Sequence, residues 1–444
     1  MLEQGECQPS QRSLGEWLTL LEARHPCEIE LGLERIAQVG ASLKLVRPAA
    51  QVVSVAGTNG KGSAVAVMEA LLLQQGRRVG AYTSPHLLHY NERVRIDGQP
   101  VSDEALCAAF VQIEAACGAT SLSYFEFGTL AALLLFQQAG LDVALLEVGL
   151  GGRLDAVNIV DADVAIITSV ALDHESWLGD SREQIALEKA GIARCGKPVI
   201  YADSDIPSTL LPYLLQLGAR PYLLGSSDFN YFCSDEDLTL RCADAQGERH
   251  TYNKLPLPRV ALPSALCAVQ ALLLLGELNL DGVEIAQVFG EVSLPGRCQE
   301  LCFSKRNVLL DVAHNPAAAQ LLAEQLATRE SEKIHAIFAV MSDKNIPAIV
   351  APLYQQVAHW HLGELSHIAR AARADDIAEI LQSCDMKACT VSTYADIREA
   401  MVGALSHMQV TDLLLVFGSF FTVAEVLSLV ESGEALLVGD ASDE

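Results

Sequence analysis

Short β-branched runs alternate with helix-length segments along most of this 444-residue chain, and that alternation limits the fold more than any other feature. Val52–Val55, Val79–Tyr82, Val143–Val148 and Val164–Ser169 read as strands, with helical spacing between them over Ser63–Gln75 and Tyr124–Ala139. Strand, helix, strand in succession specifies βαβ units, whose parallel strands are covered on both faces. The expected class is therefore α/β. The pattern pauses at Leu294-Pro295-Gly296-Arg297 and restarts with strands at Val308–Val312, Ile334–Val340 and Leu413–Phe417 and helices at Pro316–Ala327 and Val423–Val430. Two domains are expected, 1–294 and 295–444. Phe229–Lys254 differs, alternating polar and apolar residues around Ala245-Gln246-Gly247. It reads as an antiparallel ribbon at the edge of the first domain.

Charge narrows the partners. Thirty Lys and Arg against 56 Asp and Glu leave a net charge of −26, which disfavours nucleic acid and anionic membranes. A polyanionic substrate must then meet a local positive site against an unfavourable overall field. Half the residues are hydrophobic, enough for a large core. The first 17 residues show neither a basic head nor an apolar run, so they do not read as a signal peptide. The most apolar stretches, Leu130–Phe136 and Ala268–Leu275, fall well short of the ~20 residues of a membrane span. A cytoplasmic protein is expected, with a monomer as the default. The 12 cysteines contain no CxxC pair, and Cys298 and Cys302 have no second pair nearby, so they read as reduced thiols.

The strongest chemical signal is Val52-Val53-Ser54-Val55-Ala56-Gly57-Thr58-Asn59-Gly60-Lys61-Gly62-Ser63. A buried strand enters a glycine loop that opens a helix. Successive backbone N–H groups and the helix N-terminus make an anion cradle, and Lys61 can reach terminal phosphates. The spacing departs from G-x-x-x-x-G-K-[ST], with Val55 in place of the first glycine and Gly62 after the lysine. The next strand ends at Thr83-Ser84-Pro85-His86, where the Ser84 hydroxyl suits Mg²⁺ or phosphate. Glu147 is a carboxylate inside an apolar strand, costly unless paired or bound to a metal. His174 follows the fourth strand in Leu172-Asp173-His174. A lone histidine is more often structural. Three donors at three strand ends beside a phosphate loop favour a metal.

These residues resemble the Mur ligase superfamily and, within it, the bacterial bifunctional dihydrofolate synthase/folylpolyglutamate synthases. The resemblance runs from Leu14 to Val430. It rests on Gly57–Ser63, Ser84-Pro85-His86, Tyr124-Phe125-Glu126, the run from Glu147 to Ala156, Leu172-Asp173-His174, Glu188-Lys189-Ala190-Gly191, Pro295-Gly296-Arg297, the run from Asp311 to Pro316, and Gly418-Ser419-Phe420. It implies a P-loop parallel-sheet ATP-binding domain followed by a smaller Rossmann-like α/β domain carrying the glutamate-ligase part. ATP phosphates would lie on Gly57, Thr58, Asn59, Gly60, Lys61, Gly62 and Ser63. Ser84, Glu147 and His174 would ligate Mg²⁺. Lys189 matches a carbamylated lysine that supports a second Mg²⁺. Arg297 and Asp311 would contact ATP from the second domain. Glu30, Leu31 and Gly32, Ser123, Tyr124, Phe125 and Glu126, and Leu154, Asp155 and Ala156 would line a pterin site. His314 and Ser419 would lie near the incoming glutamate. The chain differs from the family's usual residue at Ser264 (Asn, contacting ATP), Phe421 (His) and Glu30 (Asp).

The implied reaction is amide ligation of L-glutamate to dihydropteroate or to reduced folates. ATP phosphorylates the substrate carboxylate, the glutamate amine displaces phosphate, and ADP and phosphate leave. A folylpolyglutamate synthase alone, another Mur-type ligase, a P-loop kinase or ATPase, and an inactive nucleotide-binding protein are the alternatives at this stage.

Overall fold

The computed structural model describes residues 12–25, 30–234, 237–276, 280–329, 333–383 and 389–432; of the N-terminal stretch read above, residues 1–11 lie outside the described residues. The chain divides into two compact units, Met1–Val292 and Ser293–Glu444.

The first unit is built on an eight-stranded sheet ordered β4-β3-β2-β5-β1-β6-β7-β8. Its strands are β1 (Ala49–Ala56), β2 (Val79–Tyr82), β3 (Val94–Ile96), β4 (Gln99–Pro100), β5 (Leu141–Glu147), β6 (Val164–Ile167), β7 (Pro198–Tyr201) and β8 (Arg220–Leu223). Six pair in parallel, and β3 and β4 run antiparallel at one edge. Successive residues of a strand point to opposite faces. Accordingly Val52 and Ala56 join one buried cluster while Val53 and Val55 join another. Both faces are covered, which is why the runs are continuously apolar. The chain moves outward from β1 in both directions, to β5 and β2 on one side and to β6 on the other. The carboxyl end of β1 is therefore a topological switch point, where open α/β sheets leave a crevice.

The helix after β1 starts at Lys61, two residues before the expected Ser63. Gly60, at φ +85°, closes the loop in the left-handed region and allows the early start. The segment 229–255 is antiparallel, as its alternation predicts. It forms its own antiparallel sheet of β9 (Phe229–Cys233), β10 (Leu238–Ala243) and β11 (Arg249–Leu255), not an extension of the main sheet. Its apolar residues Phe229, Leu238, Leu240 and Leu255 share a core with the helices Leu262–Leu275 and Gly282–Glu291. Burying one face against helices is what drives it to form a separate layer.

The second unit holds a six-stranded sheet ordered β12-β13-β17-β14-β15-β16. The strands are β12 (Gln299–Phe303), β13 (Arg306–Leu310), β14 (Ile334–Phe338), β15 (Val357–Gly363), β16 (Thr390–Tyr394) and β17 (Leu413–Phe417). Only β12 runs antiparallel. The last helix begins at Phe420 rather than Val423, because Ser419 caps it by accepting the Thr422 N–H at 3.0 Å. No described helix is long and apolar enough to cross a membrane.

Candidate active site

The glycine loop emerges between β5 and β6, and its shape is set by other segments. Thr58 N–H donates to the Ser169 carbonyl at 2.9 Å, Asn59 N–H to Ser169 Oγ at 3.1 Å, and Thr168 Oγ1 to the Asn59 carbonyl at 2.6 Å. A Cβ on Gly57 would collide with Thr168 Oγ1, and one on Gly60 with Ser264 Oγ. Ser264 is thus brought against the loop from the start of the helix Leu262–Leu275. Lys61 Nζ curls back on the carbonyls of Gly57 and Thr58, at 3.1 and 3.4 Å. Gly62 and Ser63 form the first helical turn. The first N–H groups of a helix lack helical acceptors, so they remain donors for an anion there.

Three further strand ends surround this loop. Glu147 ends β5, is 4% exposed, and accepts the Ser84 N–H at 3.3 Å. Ser84 follows β2, joined to Pro85 by a cis peptide bond. His174 follows β6 in the left-handed region at φ 51°. Loop, Ser84, Glu147 and His174 therefore stand at the carboxyl ends of four adjacent parallel strands.

Lys189, on the helix Arg182–Ala190, is 3% exposed. Burial, reinforced by the Lys61 ammonium, pulls its amine down to about 7, while Asp173 and Asp155 pull the other way. Asp155 is itself buried and accepts N–H groups from Leu150 at 2.8 Å and Val157 at 3.0 Å. Burial pushes its carboxyl up to about 6 despite those bonds. A buried amine and two carboxylates thus sit in the field of the loop lysine.

The segments with Glu30, Ser123 and Leu154 also converge. Gly32 N–H donates to the Leu154 carbonyl at 3.2 Å, which ties down the Leu31 backbone between Glu30 and Gly32. Arg35 pairs with both Glu30 and Glu126, the latter at 3.1 Å. Glu126 also completes a capping box, taking the Ser123 N–H at 2.8 Å. Ala156 opens a short 3₁₀ turn capped by Asp155. Tyr124 packs edge-on against Tyr90 at 5.7 Å, Phe125 lies 6.0 Å from Tyr82 and against Gly149, and the Arg93 guanidinium lies over Tyr90 and Tyr124 at 5.3 and 5.6 Å. Arg93 also bonds His86 Nδ1 at 2.8 Å. Arg35, Tyr90, Arg93 and Asp173 were missed from sequence. Only Asp173, adjacent to His174, carried a local signal.

In the second unit, the ends of β13 and β17 gather the remaining candidates. Asp311 accepts the N–H groups of Cys298 and Ala313, both at 2.8 Å. His314 Nδ1 bonds the Val312 carbonyl at 2.9 Å, and its ring lies 6.2 Å from Phe420. Arg297 covers the other approach to Phe420 at 5.2 Å. Ser419 is the cap described above, its hydroxyl 2.7 Å from Thr422 Oγ1.

A phosphate-type loop at the switch point, with a buried carboxylate and a buried lysine near it, is an arrangement suited to binding a nucleotide phosphate with a divalent cation. Residues 296–420 match the family model described as Mur ligase, glutamate ligase domain. The chain is 42% identical over 420 residues to the dihydrofolate synthase/folylpolyglutamate synthase of Escherichia coli (strain K12), covering 94% of this chain and 96% of that protein. A solved structure of E. coli FolC in complex with DHPP and ADP superposes with a TM-score of 0.89 at 41% identity, over 96% of this chain and 99% of that one. A bifunctional folylpolyglutamate synthase/dihydrofolate synthase with Mn, AMPPNP and L-glutamate bound gives 0.86 at 43% identity, over 95% and 99%. The chain belongs to the dihydrofolate synthase/folylpolyglutamate synthase family.

Proposed function

We propose that this chain joins L-glutamate to dihydropteroate, forming dihydrofolate, and to reduced folates, extending their glutamate tail. The observation that carries the reading is a near end-to-end family match in which the loop, Lys61, Ser84, Glu147, His174 and Lys189 all stand around one switch point. ATP phosphorylates the substrate carboxylate. The glutamate amine then attacks the acyl phosphate, the amide forms and phosphate leaves with ADP.

The N–H groups of Gly57 to Ser63 hold the phosphates, and Lys61 offsets charge growing on the γ-phosphate. Ser264 completes the ATP contacts of the first unit, and the family resemblance assigns Arg297 and Asp311 to ATP as well. The donor set fits a hard divalent cation, since Glu147 is a buried carboxylate on an apolar strand. Ser84, Glu147 and His174 would hold one Mg²⁺, and a Lys189 carbamate would support a second. Bound Mg²⁺ supplies charge neutralisation on the phosphates. Glu30 to Gly32, Ser123 to Glu126 and Leu154 to Ala156 position the pterin, with the rings of Tyr124 and Phe125 as stacking surfaces. His314 and Ser419 position glutamate. The enzyme works in the cytoplasm as a monomer on small molecules alone.

One assay tests this: phosphate release by purified protein with ATP, Mg²⁺ and glutamate, offering dihydropteroate and tetrahydrofolate in turn. Glutamate-dependent release with both is expected. Release without glutamate would make it an ATPase, ADP formed without glutamate and without free phosphate would make it a kinase, and release with folates alone would make it a polyglutamylase only.

A further inference from the structure

We propose that His335, His359 and His361 form a metal site for a zinc-class divalent ion within the second unit. His359 and His361 are two apart on β15 and so project from the same face. His335, on β14, stands directly opposite His359 in the parallel pair. The three are 4%, 8% and 0% exposed, and one ligand nitrogen from each lies within 4.8 Å of the others. His335 Nδ1 and His361 Nε2 are 3.2 Å apart. Two imidazole nitrogens each about 2.0–2.1 Å from a tetrahedral zinc would be separated by about 3.3 Å.

The opposite nitrogen is hydrogen-bonded in two of the rings and faces a buried carboxylate in the third. His361 Nδ1 meets Tyr394 Oη at 3.0 Å, His359 Nε2 meets Ser392 Oγ at 2.9 Å, and His335 Nε2 faces the Asp412 carboxylate at 3.6 Å. Metal-bound histidines show this outer ring of partners, which fixes tautomer and ring plane. It leaves His335 Nδ1, His359 Nδ1 and His361 Nε2 to converge on an ion. Asp412 is 1% exposed, is held by the Gln409 N–H at 2.8 Å, and has its Oδ1 without a hydrogen-bond partner. His407 ends the helix Ile397–His407, with its ring 5.1 Å from that of His359 and its Nδ1 on the Gly403 carbonyl at 2.6 Å.

A plain hydrogen-bond relay from Tyr394 through His361 to His335 would account for two rings. It gives no reason for His359 to stack on His361 at 3.9 Å between ring centres. An all-imidazole donor set selects Zn²⁺, Ni²⁺, Cu²⁺ or Co²⁺ over Mg²⁺. The ion would clip β14 to β15.

The test is titration of chelator-treated full-length protein with Zn²⁺ in excess Mg²⁺, against a competing chromophoric chelator. One tightly bound Zn²⁺ is expected, weakened about tenfold or more by His359→Gln and by Asp412→Asn. Absence of stoichiometric Zn²⁺ uptake, or uptake that neither substitution weakens, would overturn the site. X-ray absorption of the Zn²⁺-loaded unsubstituted protein needs no variant to fold. Three or more imidazole nitrogens support the site. An oxygen-rich shell with a single imidazole would place the ion elsewhere and refute it.

Discussion

Replacing Lys189 with alanine tests the most unusual group in the first unit. The side chain is 3% exposed, and burial with the nearby Lys61 ammonium brings its amine from 10.5 to about 7. At pH 7.5 an ordinary lysine is about 0.1% neutral, whereas one titrating near 7 is about three-quarters neutral, a gain of several hundred-fold in the form that adds CO₂. Carbamylation then turns a cation beside Lys61 into an anion and supplies oxygens for a hard cation. Lys189→Ala is expected to lower the ligation rate about 10³-fold, close to 4 kcal/mol of transition-state stabilisation, with partial restoration by acetate. Carbon-13 NMR in labelled bicarbonate should show one carbamate resonance that the variant lacks. At fixed dissolved CO₂ its intensity should rise with pH until the site is fully carbamylated, because only the deprotonated amine reacts and carbamate formation releases a further proton. Without CO₂ the unfolded chain keeps a proton on this amine that the folded chain sheds. Stability should therefore rise with pH between about 7 and 10.5, the folded and ordinary values for this amine. Full activity in Lys189→Ala, or no carbamate signal from the unsubstituted protein, would refute the reasoning.

Lys61→Ala should cost about 10³-fold in turnover with an unchanged melting temperature, and near-normal turnover would remove the phosphate-loop assignment. Spent nucleotide should chromatograph as ADP; finding AMP would mean adenylation of the substrate instead. Gly60→Ala should raise the KM for ATP about tenfold or more, since φ +85° and Ser264 Oγ both oppose a Cβ. Adding Ser264→Ala should recover part of that loss by removing the opposing hydroxyl, and a double variant no better than the single would leave backbone strain as the whole cause.

The phosphate loop and Glu147 were legible because their polarity breaks an apolar strand pattern at its end, a local event in the chain. β15 was missed for the converse reason. His359 and His361 interrupt its apolar run, and only burial on a sheet face makes Val357–Gly363 a strand. Lys189 was marked in the sequence only by its match to the family's carbamate site, and its burial is supplied by the fold. Arg93 and Tyr90 sit on a single 3₁₀ turn, Tyr90–Arg93, too short to leave a period in the sequence, so nothing in the chain predicted that they would meet Tyr124. Arg35 reaches Glu126 only because residues 91 apart are brought together. What stayed hidden was therefore mostly convergence between distant segments, whereas strand ends and glycine turns announce themselves locally.

The loop from Gly57 to Gly60 is held by Thr168, Ser169 and Ser264 before any nucleotide arrives. Its conformational cost is met during folding, so nucleotide capture is governed by encounter rather than by loop rearrangement. Encounter takes place against a chain of net charge −26. Dissolved ions shorten the reach of that repulsion to about 8 Å at physiological ionic strength, while the cradle's own N–H groups act only at contact. Added salt should accordingly quicken association with this loop, the reverse of what a basic nucleotide-binding surface would do.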